Sequence, residues 1–292
     1  MSYDLFFRKA AAAITPEEFE AYFRARPNYN VDMPQAVYTN ETTGVYFVFE
    51  LSRGSKCNDS EEGADYVATF NLNYYRPSFF ILEAEPEVTA FVGHFGLAVS
   101  DPQMHGMGEG KYDAELFVQG WRHGNTFGYS AILADAKNRT HIMHLPADVL
   151  IRSWAWNYGK KALQAELGEF TFVPSIMFVN IDGKTFTAAV WPDGIPIAVP
   201  DVDYFIVTRK ALAPRKWFRR MEDRTIVAFD AARPVLESHW SRRNAQYVLD
   251  YDIPPDSVAA FVRGLPTVQS AVTGLAYDRV LDRELVEKAL LA

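Results

Sequence analysis

The best apolar stretch in this chain, Val88–Val99, is only about twelve residues long and is interrupted by His94. A membrane-spanning helix needs about 18 or more apolar residues in a row. The other apolar runs are shorter still and end at a proline, a glycine or a polar turn. The chain must therefore fold from many short elements that share packed cores. At 49% hydrophobic and 23% charged over 292 residues it is neither disordered nor fibrous. A chain of this length buries roughly 75% of its unfolded surface, so it needs no disulfide or structural metal to hold together. Cys57 is the single cysteine, which excludes an internal disulfide, a four-cysteine zinc site and a CxxC redox pair.

Local signals give the elements. Tyr3–Arg8 reads as a strand. Thr15, Pro16 and Glu18 form a helix start with a capping box, Phe19, Tyr22 and Phe23 make the apolar stripe, and Pro27 ends it. Val37–Tyr38 and Val45–Leu51, joined at Asn40–Gly44, read as a hairpin, and Ser52–Asp65 as a loop. Tyr66–Tyr74 and Ser78–Ala84 are expected strands, and Pro86 is expected to open a helix carrying Val88, Phe91, Val92, Phe95 and Val99. A glycine-rich connector over Asp101–Lys111 leads to two helices, Asp113–Asp135 and Ala147–Leu167, the second stopped by Gly168. Strands are expected at Glu169–Ile181, Lys184–Trp191 and Val202–Thr208, with turns at Asp182-Gly183 and Asp193-Gly194. A basic helix near Pro214–Arg224, strands at Thr225–Phe229 and Tyr247–Tyr251, and helices at Pro255–Arg263 and Asp278–Leu291 complete the reading.

These elements predict an α+β fold of mostly antiparallel sheets with helices packed on one face. Two halves of similar size, 1–110 and 111–292, are expected. A break near 140–146, or a single shared core, remains open. Charge is uneven: residues 1–100 hold 7 basic and 14 acidic side chains, out of a formal net charge of −8. Such a surface repels nucleic acid and anionic lipid and attracts basic partners. The apolar residues Leu5–Phe7 precede Arg8 and Lys9, the reverse of a secretory signal, so a cytoplasmic protein is expected.

Five constellations could carry chemistry. His141 and His144 have metal-ligand spacing, but Pro146 makes two loop histidines the plainer reading. Asp201/Asp203 and Asp250/Asp252, if their strands were neighbours, could gather around a hard cation for a hydrolase or nuclease. Flanking an apolar residue at a strand edge, each pair could equally point to solvent. Asp101, Glu109 and Lys111 carry the letters of a nuclease set, among glycines that argue against a strand. Arg209, Lys210, Arg215, Lys216, Arg219, Arg220 and Arg224, with Trp217 and Phe218, form a basic cluster read as a solvated helix face. Gly120, Gly124 and Gly128 recur every four residues, at a cost of about 1 kcal/mol each against alanine. Either a neighbour packs close against them, with the Ala147–Leu167 helix the expected one, or Arg122 and His123 beside them hold an anion.

Tyr3–Arg8, Thr15–Phe19 and the strand Gly44–Glu50 together resemble the opening of a group of bacterial cytoplasmic proteins, some of which are similar to toxin-binding immunity proteins. The likeness covers about the first 50 residues and brings no functional residue with it. The acidic first 100 residues, the abundance of Tyr, Trp and Phe and the absence of a catalytic motif lead to the expectation of a non-enzymatic, protein-binding function, with a basic toxin domain as partner, no cofactor, and a monomer or weak dimer. A metal-dependent hydrolase built on the four aspartates is the alternative.

Overall fold

The computed structural model describes residues 1–8, 13–52, 66–216, 219–220, 223–243, 245–267 and 272–291. Cys57, Trp217 and Phe218 lie outside these residues, as does most of the expected 52–65 loop. The fold is α+β with mostly antiparallel sheets. Among the described residues no helix is long and apolar enough to cross a membrane. The chain divides into two units, one of residues 1–150 and 278–292, the other of residues 151–277. The expected break at 110/111 falls inside the first unit.

The first unit begins with β1 (Ser2–Arg8), α1 (Pro16–Arg24), β2 (Tyr29–Asp32), β3 (Gln35–Asn40), β4 (Val45–Leu51) and β5 (Tyr66–Asn73). It continues through α2 (Phe80–Phe95), β6 (Ala98–Asp101), β7 (Gly108–Gly110), α3 (Ala114–Leu133), β8 (Met143–Leu145) and the start of α4 (Ala147–Leu167). Its sheet runs β2-β3-β4-β5-β1-β6-β7, antiparallel at every described pairing. Alternation on β1 buries Tyr3, Leu5 and Phe7 on one face. The capping box forms: Thr15 Oγ1 accepts from the Glu18 N–H at 3.2 Å, and Glu18 Oε2 from the Thr15 N–H at 2.9 Å. That start aims Phe19 and Phe23 into an aromatic core centred on Phe91, whose ring lies 4.9–5.5 Å from those of Phe7, Phe23 and Phe49.

Two expectations here are corrected. Ser78–Ala84 is not a strand, because α2 starts at Phe80 and carries Pro86 within it. Phe80, Ile81, Ala84, Val88, Phe91 and Phe95 are buried along one helical face, and that burial outweighs the roughly 3 kcal/mol an internal proline costs. The glycine-rich connector forms a short strand, β7, paired with β6. A small hairpin partner tolerates glycine at Gly108 and Gly110, whose φ angles of 71° and 138° suit little else.

The second unit takes the rest of α4 and then β9 (Ile176–Ile181), β10 (Lys184–Pro192), β11 (Tyr204–Arg209), β12 (Arg215–Lys216), β13 (Arg219–Arg220) and β14 (Asp223–Ala228). α5 (Phe229–Glu237), β15 (Trp240–Arg243), β16 (Gln246–Leu249), α6 (Asp256–Gly264) and β17 (Val272–Leu275) follow. Among the described residues its main sheet runs β14-β11-β10-β9-β17. Asp182 and Gly183 take φ of 50° and 83°, the paired positive values a two-residue hairpin requires. The β10–β11 pair is parallel, a crossover that no local pattern announces. The expected basic helix at Pro214–Arg224 is replaced by the β12–β13 pair and the start of β14. The chain then returns to the first unit as β18 (Val280–Asp282), parallel to β8, and α7 (Arg283–Leu291). The expected helix from Asp278 therefore starts later, at Arg283.

Candidate functional site

Asp113 caps α3, its Oδ1 accepting from the Leu116 N–H at 3.0 Å. One side of the helix is buried, through Phe117, Trp121, Asn125 and Tyr129. Asn125 donates to the carbonyls of Tyr74 and Arg76, the latter at 2.9 Å, which ties the helix to the end of β5. Tyr129 donates to Asp282 at 3.1 Å, and Asp282 also accepts from the N–H and hydroxyl of Ser78, just ahead of α2. One carboxylate thereby joins the entries of α2 and α7 to α3. Burial pushes its pKa up, and the hydrogen bonds from Ser78 and Tyr129 oppose that push.

The glycine stripe is explained by close packing. A Cβ at Gly124 would sit 1.9 Å from Cε1 of Tyr74, and one at Gly128 would sit 3.1 Å from Cβ of the same tyrosine. A Cβ at Gly120 would lie 3.0 Å from the Tyr3 hydroxyl and 3.2 Å from the His105 carbonyl oxygen. The neighbours at the stripe are thus Tyr3, Tyr74 and the loop at His105, in place of the Ala147–Leu167 helix. Burial raises the pKa of both tyrosines, with Asp101 adding to the effect, so both hydroxyls stay protonated and act as donors.

The loop at 102–107 is folded around a carboxylate. Asp101, only 3% exposed, accepts from the Tyr3 hydroxyl, from the Gln103 N–H at 3.1 Å and from the Met107 N–H at 2.9 Å. Gly106 is required there, since a Cβ would come within 2.2 Å of the Asp101 carboxyl carbon. This wrapping lays the His105 ring on that of His123 at 4.5 Å, with 29° between planes.

Between the loop and α3 lies an open groove of about 1050 Å³. Gln119, Arg122, His123, Thr126, Phe127 and Ser130 line it, recurring at the three- and four-residue spacing of one helix face. Met1, Met104 and Phe127 are exposed large apolar residues at its walls, Met104 by 92% and Phe127 by 64%. The ionisable side chains in the lining are Arg122, His105, His123, Lys288 and the Tyr74 phenol; no carboxylate lines it among the described residues. Arg122 and Lys288 have no ion-pair partner there either. Of the five residues singled out in the sequence, Gly120, Arg122, His123 and Gly124 line this groove, and Gly128 lies against Tyr74. Loop residues Met104 and His105 and the α7 residue Lys288 escaped sequence reading, because only folding brings them to α3.

The other constellations do not gather into sites. Asp203 accepts from the Thr187 N–H and hydroxyl, each at 2.8 Å, and so ties the start of β11 to β10. Asp201 sits 3.4 Å from Arg152 on exposed surface. Asp250 pairs with Arg243 at 2.7 Å, and the nearby Ser241 hydroxyl and the Arg243 guanidinium lower its pKa, while Asp252 is exposed. Among the described residues no three His, Cys, Asp or Glu side chains are placed to hold a metal ion. His141 takes a left-handed φ of 60°, whereas His144 lies in β8 and accepts from Arg283 at 3.4 Å. Glu109 is bound by Arg8 through two contacts of 3.0 Å, and Asp101 is committed to its own loop.

The basic cluster is split as well. Arg209 is fully buried at its side chain, bidentate to Asp223 at 2.7–2.8 Å, and donates to the carbonyls of Val262 and Leu265. It is a core clamp, where a solvated face was expected.

The chain matches no family model, no curated protein and no solved structure.

Proposed function

We propose that the protein is a non-enzymatic binding module and that the α3 groove is its docking surface for a segment of another polypeptide. The groove itself carries this reading: about 1050 Å³ of open space, walled by exposed Met104 and Phe127. Exposed aromatic and methionine side chains around a concavity are the usual anchors of a peptide-binding surface. The resemblance of the first 50 residues to immunity-type proteins suggests neutralisation of a toxin as one form of this function. A hydrolase or nuclease built on Asp201, Asp203, Asp250 and Asp252 has less support, since Asp201, Asp203 and Asp250 are each engaged separately.

Panning a random peptide library on the purified protein tests the reading. Selected peptides should bind the wild type and lose about tenfold or more in affinity on Phe127→Asp, equivalent to about 1.4 kcal/mol. Selected peptides that bind Phe127→Asp as well as wild type would show that docking happens elsewhere.

A further inference from the structure

Resting on that docking reading, we infer that the segment taken up by the α3 groove is acidic, with an apolar anchor between its carboxylates. The chain carries a formal net charge of −8, and its first 100 residues hold twice as many acidic as basic side chains. The groove reverses that sign. Its charged side chains are Arg122 and Lys288, and the stacked rings of His105 and His123 lie in the same lining. The carboxylate at the start of the loop, Asp101, is turned into that loop and occupied by Tyr3, Gln103 and Met107.

Unpaired cations in a concavity are complementary to an anion, and complementarity of sign selects partners and speeds encounter. A basic segment would place like charges against Arg122 and Lys288, which disfavours the basic toxin domain as the occupant of this groove. Phe127 and Met104 then take the apolar side chain of the segment.

The test uses the full chain and a fluorescein-labelled peptide built from Asp, Glu, Leu and Phe. Its twin has Lys at every acidic position, and binding is followed by fluorescence anisotropy. The acidic peptide should bind, weaken about tenfold or more on Arg122→Glu/Lys288→Glu, and weaken as salt shortens the screening length below about 8 Å. Arg122→Gln/Lys288→Gln, with an unchanged circular dichroism spectrum, guards against misfolding and should show a smaller loss in the same direction. If the lysine twin binds equally and both peptides are lost on Phe127→Asp, the acidic assignment fails while the docking reading stands. Binding of both peptides that ignores Phe127→Asp overturns both. No binding of the acidic peptide at millimolar concentration, or equal displacement of it by a random oligonucleotide, overturns the acidic-segment assignment.

Discussion

The second unit and the groove of the first unit use their charged side chains in opposite ways. In the second unit, Arg209 is sealed against Asp223 and two backbone carbonyls, Asp203 is satisfied by Thr187, and Asp250 holds Arg243. In the first unit's groove, Arg122 and Lys288 meet no carboxylate among the described residues, and two histidines stack on each other without one. A charge satisfied inside its own unit contributes to stability and register. A charge left open in a concavity contributes little to stability and is free to act on a partner.

The largest effect should come from breaking the buried clamp. Arg209→Met leaves Asp223 and the carbonyls of Val262 and Leu265 without their donor, and should cost about 3–5 kcal/mol in urea unfolding. A loss below about 1 kcal/mol would mean that the clamp is not what holds this part of the unit. Next comes Gly124→Leu, which forces a side chain onto the Tyr74 ring. Overpacking of about 1–3 kcal/mol exceeds the roughly 1 kcal/mol gained in helix propensity, so the melting temperature should fall, by about 2–4 °C per kcal/mol. Gly159→Ala on α4, where a Cβ meets nothing within 4 Å, should do the reverse and raise stability by up to about 1 kcal/mol.

Asp282 has a raised pKa, chiefly from burial, so the folded state binds its proton more tightly than the unfolded chain does. The resulting stabilisation is complete below the ordinary aspartate value of about 4 and is lost as pH rises through the raised folded value. Urea unfolding across this range should show the stability of wild type relative to Asp282→Asn falling as pH rises. A difference that stays flat or grows would contradict the assignment. The smallest effect is expected at the groove: Arg122→Gln and Lys288→Gln should each change stability by less than about 0.5 kcal/mol. A larger loss would place these cations with the structural charges of the second unit.

Sequence alone carried the elements whose signals are local. The capping box at Thr15 and Glu18, the turn at Asp182-Gly183, the Ala147–Leu167 helix and the alternation of Tyr3, Leu5 and Phe7 each depend on a few neighbouring residues. The glycine spacing on α3 likewise announced that something packs close or binds there, because bare glycines in a helix need compensation. Local reasoning failed at Ser78–Ala84, whose helical state rests on burial of Phe80 and Ile81, and at Arg209, whose burial needs Asp223 and the carbonyls beyond α6.

The capping box, the hairpin turn and the β1 strand face were thus fixed locally, since backbone chemistry within a few residues makes those choices. Long-range packing placed Tyr74 in the glycine stripe and let Asp101 fold the 102–107 loop against α3. It also brought Lys288 to Arg122 and the two histidines, from about 165 positions further along the chain. Contacts between residues that far apart leave no local signature, because their free energy arises only when the packed core has closed the loops between them.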